Sequence, residues 1–246
     1  MPLLHSVDAW WCATGRLSDD ALADAATLLS PEEHARADRF RFARDRRDFI
    51  AAHALVRSAL SVVDGRPPSQ LEFSVTPGGK PILVGAAGRP SPLAFSLTHT
   101  RGLVACAIGL AAVGIDAEDA TRDADVDGVA ERFFAAAERD ALMRLPEDAR
   151  RSRFFELWTL KESLLKALGL GLSHPLEDLA FTISAAGAIH LESGTVDAAA
   201  WTFVLDRIGD YCLGMAVAHT AGSPSPAVRL TEAQCPLPRS VGSGGT

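Results

Sequence analysis

Two short segments hold the side chains most able to do chemistry: Gly114-Ile115-Asp116-Ala117-Glu118 and Trp158-Thr159-Leu160-Lys161-Glu162-Ser163-Leu164-Leu165-Lys166. The first reads as a strand. Residues alternate faces along a strand, so Asp116 and Glu118 share one face while Ile115 and Ala117 share the other. The second reads as a helix, with Trp158, Glu162 and Lys166 at i, i+4 and i+8 on one side. Together they offer three carboxylates and one ammonium. A few carboxylates plus a phosphorylated substrate are the usual way to hold Mg²⁺. The pairing points to Mg²⁺-assisted phosphoryl chemistry.

Plainer readings compete. Asp116 and Glu118 could blunt an exposed sheet edge, and Glu162 could pair with Lys166 on a solvated helix face. Yet two like charges at adjacent same-face positions repel unless a cation or base lies between them. The helix is also apolar around its charges, with Phe155, Leu157, Leu160, Leu164, Leu165 and Leu168. A Glu and a Lys in such surroundings must be paired or functional. Three further candidates lie upstream. Thr98 and His99 end Phe95-Ser96-Leu97-Thr98-His99-Thr100, and their side chains can bind a phosphate or an adenine edge. Lys80-Pro81 follows Gly78-Gly79, where a simple turn is the alternative. Residues 36–57 carry seven arginines against three aspartates, which reads either as a solvated helix face or as a site for phosphate or an acidic partner.

The elements that must position these residues repeat. A helical pattern over residues 49–60 is followed by Gly65, Pro67-Pro68 and a strand over 71–75. A second helical pattern over 154–168 is followed by Gly169, Gly171, Pro175 and a strand over 179–183. Each half then adds a hairpin, 93–97 with 103–108 and 201–205 with 211–218, turned at Arg101-Gly102 and Gly209-Asp210. The expectation is an α+β fold of two pseudo-equivalent lobes from an internal duplication. Each lobe is a small, largely antiparallel sheet packed with a long helix, and the ligand cleft lies between them. Residues 1–112 form the first lobe and 113–221 the second. In residues 222–246, 12 of 25 are Gly, Pro or Ser, which predicts a flexible tail.

Composition narrows the class. With 246 residues, 48% hydrophobic and 22% charged, the chain reads as an ordinary globular protein. The longest apolar run, 103–113, is too short to span a bilayer, and no signal peptide is expected at the N-terminus. Four scattered cysteines without metal-ligand spacing predict reduced thiols in a cytoplasm and no structural zinc. A net charge of -7 argues against a general nucleic-acid binder.

At these residues the chain resembles the Sfp-type 4′-phosphopantetheinyl transferases. The family's G-I-D-x-E strand matches Gly114 through Glu118, and its W-x-x-K-E-[AS]-x-x-K-x-x-G-x-G-L helix matches WTLKESLLKALGLGL from Trp158. Gly79-Lys80-Pro81, Phe95 through Thr100, and Phe42-Ala43-Arg44-Asp45 leading into Ala54-Leu55-Val56-Arg57 also fit, in family order. Ala117 stands where the family often has Ile or Val. The resemblance implies coenzyme A bound between two pseudo-equivalent lobes of a monomer. Asp116, Glu118 and Glu162 would hold Mg²⁺. Glu162 would also help deprotonate the acceptor, and Lys166 would contact the pyrophosphate or assist proton transfer. Lys80, Pro81, Thr98 and His99 would hold the adenine and 3′-phosphate end, joined by a basic residue such as Arg44 or Arg47. The implied partners are acyl- or peptidyl-carrier proteins of the polyketide or non-ribosomal peptide kind, with neither nucleic acid nor membrane involved. The rivals are a catalytically silent coenzyme A module of the same fold, an unrelated Mg²⁺ phosphohydrolase and an interaction protein built on the arginine-rich helix. None of the three calls for all the acidic positions together with five ordered matches.

Overall fold

Strand and helix periods recur in the same order in both halves, and the computed structural model describes them over residues 6–85, 88–171 and 174–237. In the first half, strand β1 (Ser6–Ala13) leads through helices α1 (Asp19–Ala26) and α2 (Pro31–Ala37) to the long α3 (Ala43–Asp64). Two hairpins follow, β2 (Glu72–Val75) with β3 (Pro81–Val84) and β4 (Ala94–Thr100) with β5 (Leu103–Gly109). The second half opens with β6 (Val113–Asp119), α4 (Val126–Phe133), α5 (Ala136–Met143) and the long α6 (Glu147–Leu168). Its hairpins are β7 (Leu179–Ile183) with β8 (Ile189–Ser193) and β9 (Trp201–Ile208) with β10 (Tyr211–Ala218). A last strand, β11 (Ala227–Glu232), has no counterpart in the first half.

The repeat extends to one buried ionic device, which the sequence reading did not find. Glu33 in α2 and Glu138 in α5 each accept a 2.8 Å hydrogen bond from the amide that opens their own helix, Ser30 and Ala135. Glu33 then pairs with Arg57 of α3, and Glu138 with Lys161 of α6, both at 2.7 Å. Arg57 donates onward to the carbonyls of Pro68 and Leu71, and Lys161 to those of Leu176 and Leu179. In each half the cation thus ties the long helix to the chain entering the first hairpin. Arg57, counted above among possible phosphate arginines, is a core post.

The strands form two main sheets, ordered β11-β1-β5-β4 and β6-β10-β9. Helix α3 packs on the outer face of the first and α6 on the outer face of the second. The inner faces meet back to back through Leu103, Ala105 and Ala107 of β5 and Ile115 and Ala117 of β6. Strand β5 is buried on both faces, since Val104, Cys106 and Ile108 meet α3. That is why it reads as an unbroken apolar run rather than an alternating one. Between the sheets, β4 and β6 run side by side, joined by side chains. The hydroxyls of Ser96, Thr98 and Thr100 accept from the amides of Ile115, Ala117 and Asp119 at 3.2, 3.3 and 3.4 Å.

The expected tail is corrected by the fold. Within 222–246, β11 adds in parallel to the free edge of β1, from Ser6↔Ala227 to Trp11↔Glu232. Beyond it Cys235 is buried in the first core, where Ala233 and Leu237 also pack. Two apolar residues at strand period, Val228 and Leu230, seat the strand despite the Gly/Pro/Ser bias. Residues 238–246 lie outside the described residues. The four cysteines are free and buried. Among the described residues no helix is long and apolar enough to cross a membrane.

Candidate functional site

Small residues on one face of β6 and β10 let α6 come close. A Cβ on Gly114 would stand 1.8 Å from the Ser163 carbonyl oxygen, and one on Gly214 would stand 2.7 Å from the Thr159 backbone. Gly214 lies opposite Asp116 and Cys212 opposite Glu118. With the helix seated so low, the charged side of α6 lands directly on the carboxylate face of β6.

Asp116, only 6% exposed, is the centre of the contact. The Lys166 Nζ donates to its Oδ1 at 2.6 Å and to the Ile115 carbonyl at 3.3 Å. The Thr98 hydroxyl donates to the same Oδ1 at 3.1 Å. The other oxygen, Oδ2, is buried without a partner among the described residues. Glu118 pairs with Arg122 at 3.2 Å, and the Trp158 side chain stands near enough to favour its charged form. Burial and then the Asp116 charge push its carboxyl up. Glu162 forms no hydrogen bond or ion pair among the described residues. Burial first, then Asp116, push it up to about 7, with Lys166 opposing and Glu118 adding. The three carboxylates therefore feel one another as a cluster. The surface-pair alternative for Glu162 and Lys166 does not hold, because Lys166 turns to the strand instead.

A cavity of about 260 Å³ opens beside this cluster. Both halves wall it: Gly79, Lys80 and Pro81 with Phe95 and Leu97 from the first, and Glu162, Leu165 and Lys166 from the second. Lys80 is held at its edge. Its Nζ donates to the Val113 carbonyl at 3.2 Å and the Ala167 carbonyl at 3.0 Å, and burial lowers its pKa to about 8. The hairpin tip ahead of it rests on the end of α6, where a Cβ on Gly78 would meet the Gly169 carbonyl oxygen at 1.9 Å. Lys80 thus rivets the two halves together at the negative end of α6.

His99 is exposed at the end of β4. Partial enclosure and then the Lys166 charge lower its pKa, while Asp48 opposes them. Its turn is held from both halves. Asp48 accepts from the Gly102 amide and the Thr14 hydroxyl, and the Tyr211 hydroxyl donates to the Arg101 carbonyl at 3.0 Å. Thr98 does not share that exposure. The residue is 4% exposed, and its hydroxyl is spent on Asp116 and Ala117. Arg47 is committed to Asp19 and the Leu17 carbonyl. Arg44 is exposed, beside Asp45 and the Phe42 ring. Arg36, within the arginine-rich stretch, is near enough for its charge to add a small lowering effect on His99. The motif lysine Lys161 is structural, and Leu172, the last motif residue, lies outside the described residues. Sequence reasoning also missed Arg122 as the ion-pair partner of Glu118. The alternating hydroxyls of Ser96, Thr98 and Thr100 were a legible sign of the seam.

Among the described residues no three His, Cys, Asp or Glu side chains are drawn together tightly enough to cage a metal ion. The donor set nevertheless fits a hard cation such as Mg²⁺. That ion takes one or two carboxylates and completes its shell with water and phosphate, and the unpartnered Asp116 Oδ2, with the Glu162 carboxylate near enough to feel the Asp116 charge, offers that chemistry.

A family model described as the 4′-phosphopantetheinyl transferase superfamily matches residues 112–216, and a model of the 4′-phosphopantetheinyl transferase N-terminal region matches residues 15–109. The 4′-phosphopantetheinyl transferase HetI of Nostoc sp. is 35% identical over 208 residues, 84% of this chain and 85% of its own. The 4′-phosphopantetheinyl transferase Sfp of Bacillus subtilis is 30% identical over 68% of this chain and 71% of its own. The solved holo-[acyl-carrier-protein] synthase of Thermotoga maritima is 26% identical, covering 44% of this chain and 63% of that one with a TM-score of 0.38.

Proposed function

The chain belongs to the 4′-phosphopantetheinyl transferase superfamily, and from that membership we propose that it transfers phosphopantetheine from coenzyme A to a serine of a carrier protein. The serine oxygen attacks the β-phosphorus, the pyrophosphate P–O bond breaks, and adenosine 3′,5′-bisphosphate leaves. Phosphoryl transfer asks mainly for positioning and charge neutralisation. The observation that carries the reading is the cavity walled by both halves, with Glu162 and Lys166 on its wall and Lys166 held on the Asp116 carboxylate.

Asp116 and Glu162, with Glu118 beside them, are the residues that would hold Mg²⁺. The ion would supply Lewis-acid neutralisation of the pyrophosphate oxygens. Lys166, anchored on Asp116, brings a second positive charge to the cavity wall. Glu162, on the cavity wall, is the carboxylate that would take the serine proton, directly or through water. Phe95, Leu97 and Leu165 provide apolar walls that keep water from competing with the serine. The 3′-phosphate end is assigned to His99 with Arg36 and the exposed Arg44. One chain supplies both walls, which supports a monomer as the acting form, and the free cysteines support a cytoplasmic setting.

Incubation with coenzyme A, Mg²⁺ and a panel of apo acyl- and peptidyl-carrier proteins, followed by intact mass, tests the reading. One phosphopantetheine added at the carrier serine, and lost when that serine is Ala, is the expected result. No mass gain on any carrier would overturn it.

A further inference from the structure

We propose that Thr98 is a positioning residue that sets the orientation of the Asp116 carboxylate, and that it does not contact coenzyme A. The inference rests on the transferase reading of the site. An aspartate carboxylate turns about two side-chain bonds, so something must decide which oxygen faces the ligand. Here both donors, Lys166 at 2.6 Å and Thr98 at 3.1 Å, sit on Oδ1. Oδ2 is left bare although it is buried. A bare buried acceptor is unfavourable, so the carboxylate would not adopt this setting unless the donors held it there.

The Thr98 hydroxyl is itself fixed. It accepts from the Ala117 amide at 3.3 Å, which turns its single proton toward Asp116. Its one proton is thus spent on Asp116 and is not offered to a phosphate. Thr98 lies on β4 of the first half, whereas Asp116 and Ala117 lie on β6 of the second. The setting of the ligand carboxylate therefore depends on the register between the halves. The control is Thr100, which makes the same seam contact, to the Asp119 amide, and among the described residues forms no hydrogen bond to any of the three carboxylates.

The variants are Thr98→Val, Thr98→Ser and Thr100→Val, with Thr98→Ala standing in should the valine not fold. Mn²⁺ is titrated calorimetrically into each protein saturated with coenzyme A, with no carrier present. Steady-state KM is measured for coenzyme A and for 3′-dephospho-coenzyme A. Losing an outer hydrogen bond to a metal ligand commonly weakens metal binding by about 10–100-fold, and Thr98→Val is expected to do so. Thr98→Ser should restore binding, and Thr100→Val should leave it unchanged. KM for the two coenzymes should move by the same factor. Equal metal losses in Thr98→Val and Thr100→Val would reduce Thr98 to seam packing and overturn the proposal. A loss confined to the 3′-phosphorylated coenzyme would make it a phosphate contact and overturn it equally. A wild type that binds Mn²⁺ but transfers to no carrier would sink the transferase reading, while the titrations would still decide the role of Thr98.

Discussion

Lys166 Nζ stands 2.6 Å from Asp116 Oδ1, reaching off its own helix to a strand 50 residues earlier rather than to Glu162 one turn away. The pair spends part of the lysine charge on a buried carboxylate and fixes the ammonium at the cavity wall. Lys166→Met should therefore do two things at once. It should slow the chemical step, because a charge opposing the developing negative phosphate is gone. It should also cost about 1.5–3 kcal/mol of stability, the usual worth of a hydrogen bond to a charged group. Single-turnover transfer and urea unfolding measure the two. Wild-type values in both would remove Lys166 from the site.

Glu162 gives a pH signature. Its carboxyl is raised from the ordinary 4.5 to about 7 by burial and then by Asp116. The folded state therefore holds a proton that the unfolded state has already released. This stabilisation is fully present below about 4.5 and is lost as pH rises through about 7. In the metal-free protein the melting temperature should fall across that window, and Glu162→Gln should flatten the fall. Scanning calorimetry in EDTA reads the slope. The same slope in the variant would put the titration elsewhere.

Gly114→Ala should be among the most damaging single changes. The new methyl would meet the Ser163 carbonyl oxygen at 1.8 Å, and backbone cannot swing aside as a side chain can. Overpacking of this kind commonly costs about 1–3 kcal/mol, and lifting α6 off β6 would also separate Lys166 from Asp116. Gly15→Ala, with open space around its Cβ, serves as the neutral control. Equal unfolding midpoints for the two would contradict the close approach of helix and strand.

The duplicated ionic device should respond unequally. Lys161 and Glu138 are 0% and 2% exposed, so Lys161→Met leaves a buried carboxylate with its amide donors but no cation and should cost about 3–5 kcal/mol. Arg57→Met should cost less, because Glu33 keeps His53 at 2.9 Å. Denaturant curves for the two variants check the order, and the reverse order would count against this account.

His99→Ala should weaken coenzyme A binding more than binding of its 3′-dephospho form, since a charge-assisted bond to phosphate is worth about 1.5–3 kcal/mol. Calorimetry with both ligands decides it. Equal losses would place the 3′-phosphate away from His99.

Local periodicity was legible from the chain alone. The two-residue period of β6 put Asp116 and Glu118 on one face and sent Ile115 and Ala117 to the inner core, as observed. The recurrence of helix, glycine and hairpin revealed the duplication and both long helices, because each element's pattern is carried by residues a few positions apart. Partner choice was not legible, because it is settled by groups far apart in sequence. Lys166 meets Asp116 across 50 residues, Thr98 meets Asp116 across 18, and Lys80 caps Ala167 across 87. Thr98 reads as a candidate phosphate ligand from its neighbours, and its hydrogen bond to Asp116 exists only once β4 lies beside β6. The last strand shows the same limit. Composition registered the glycines and prolines of 222–246, but the free edge of β1 that receives Val228 and Leu230 exists only after the first sheet has formed.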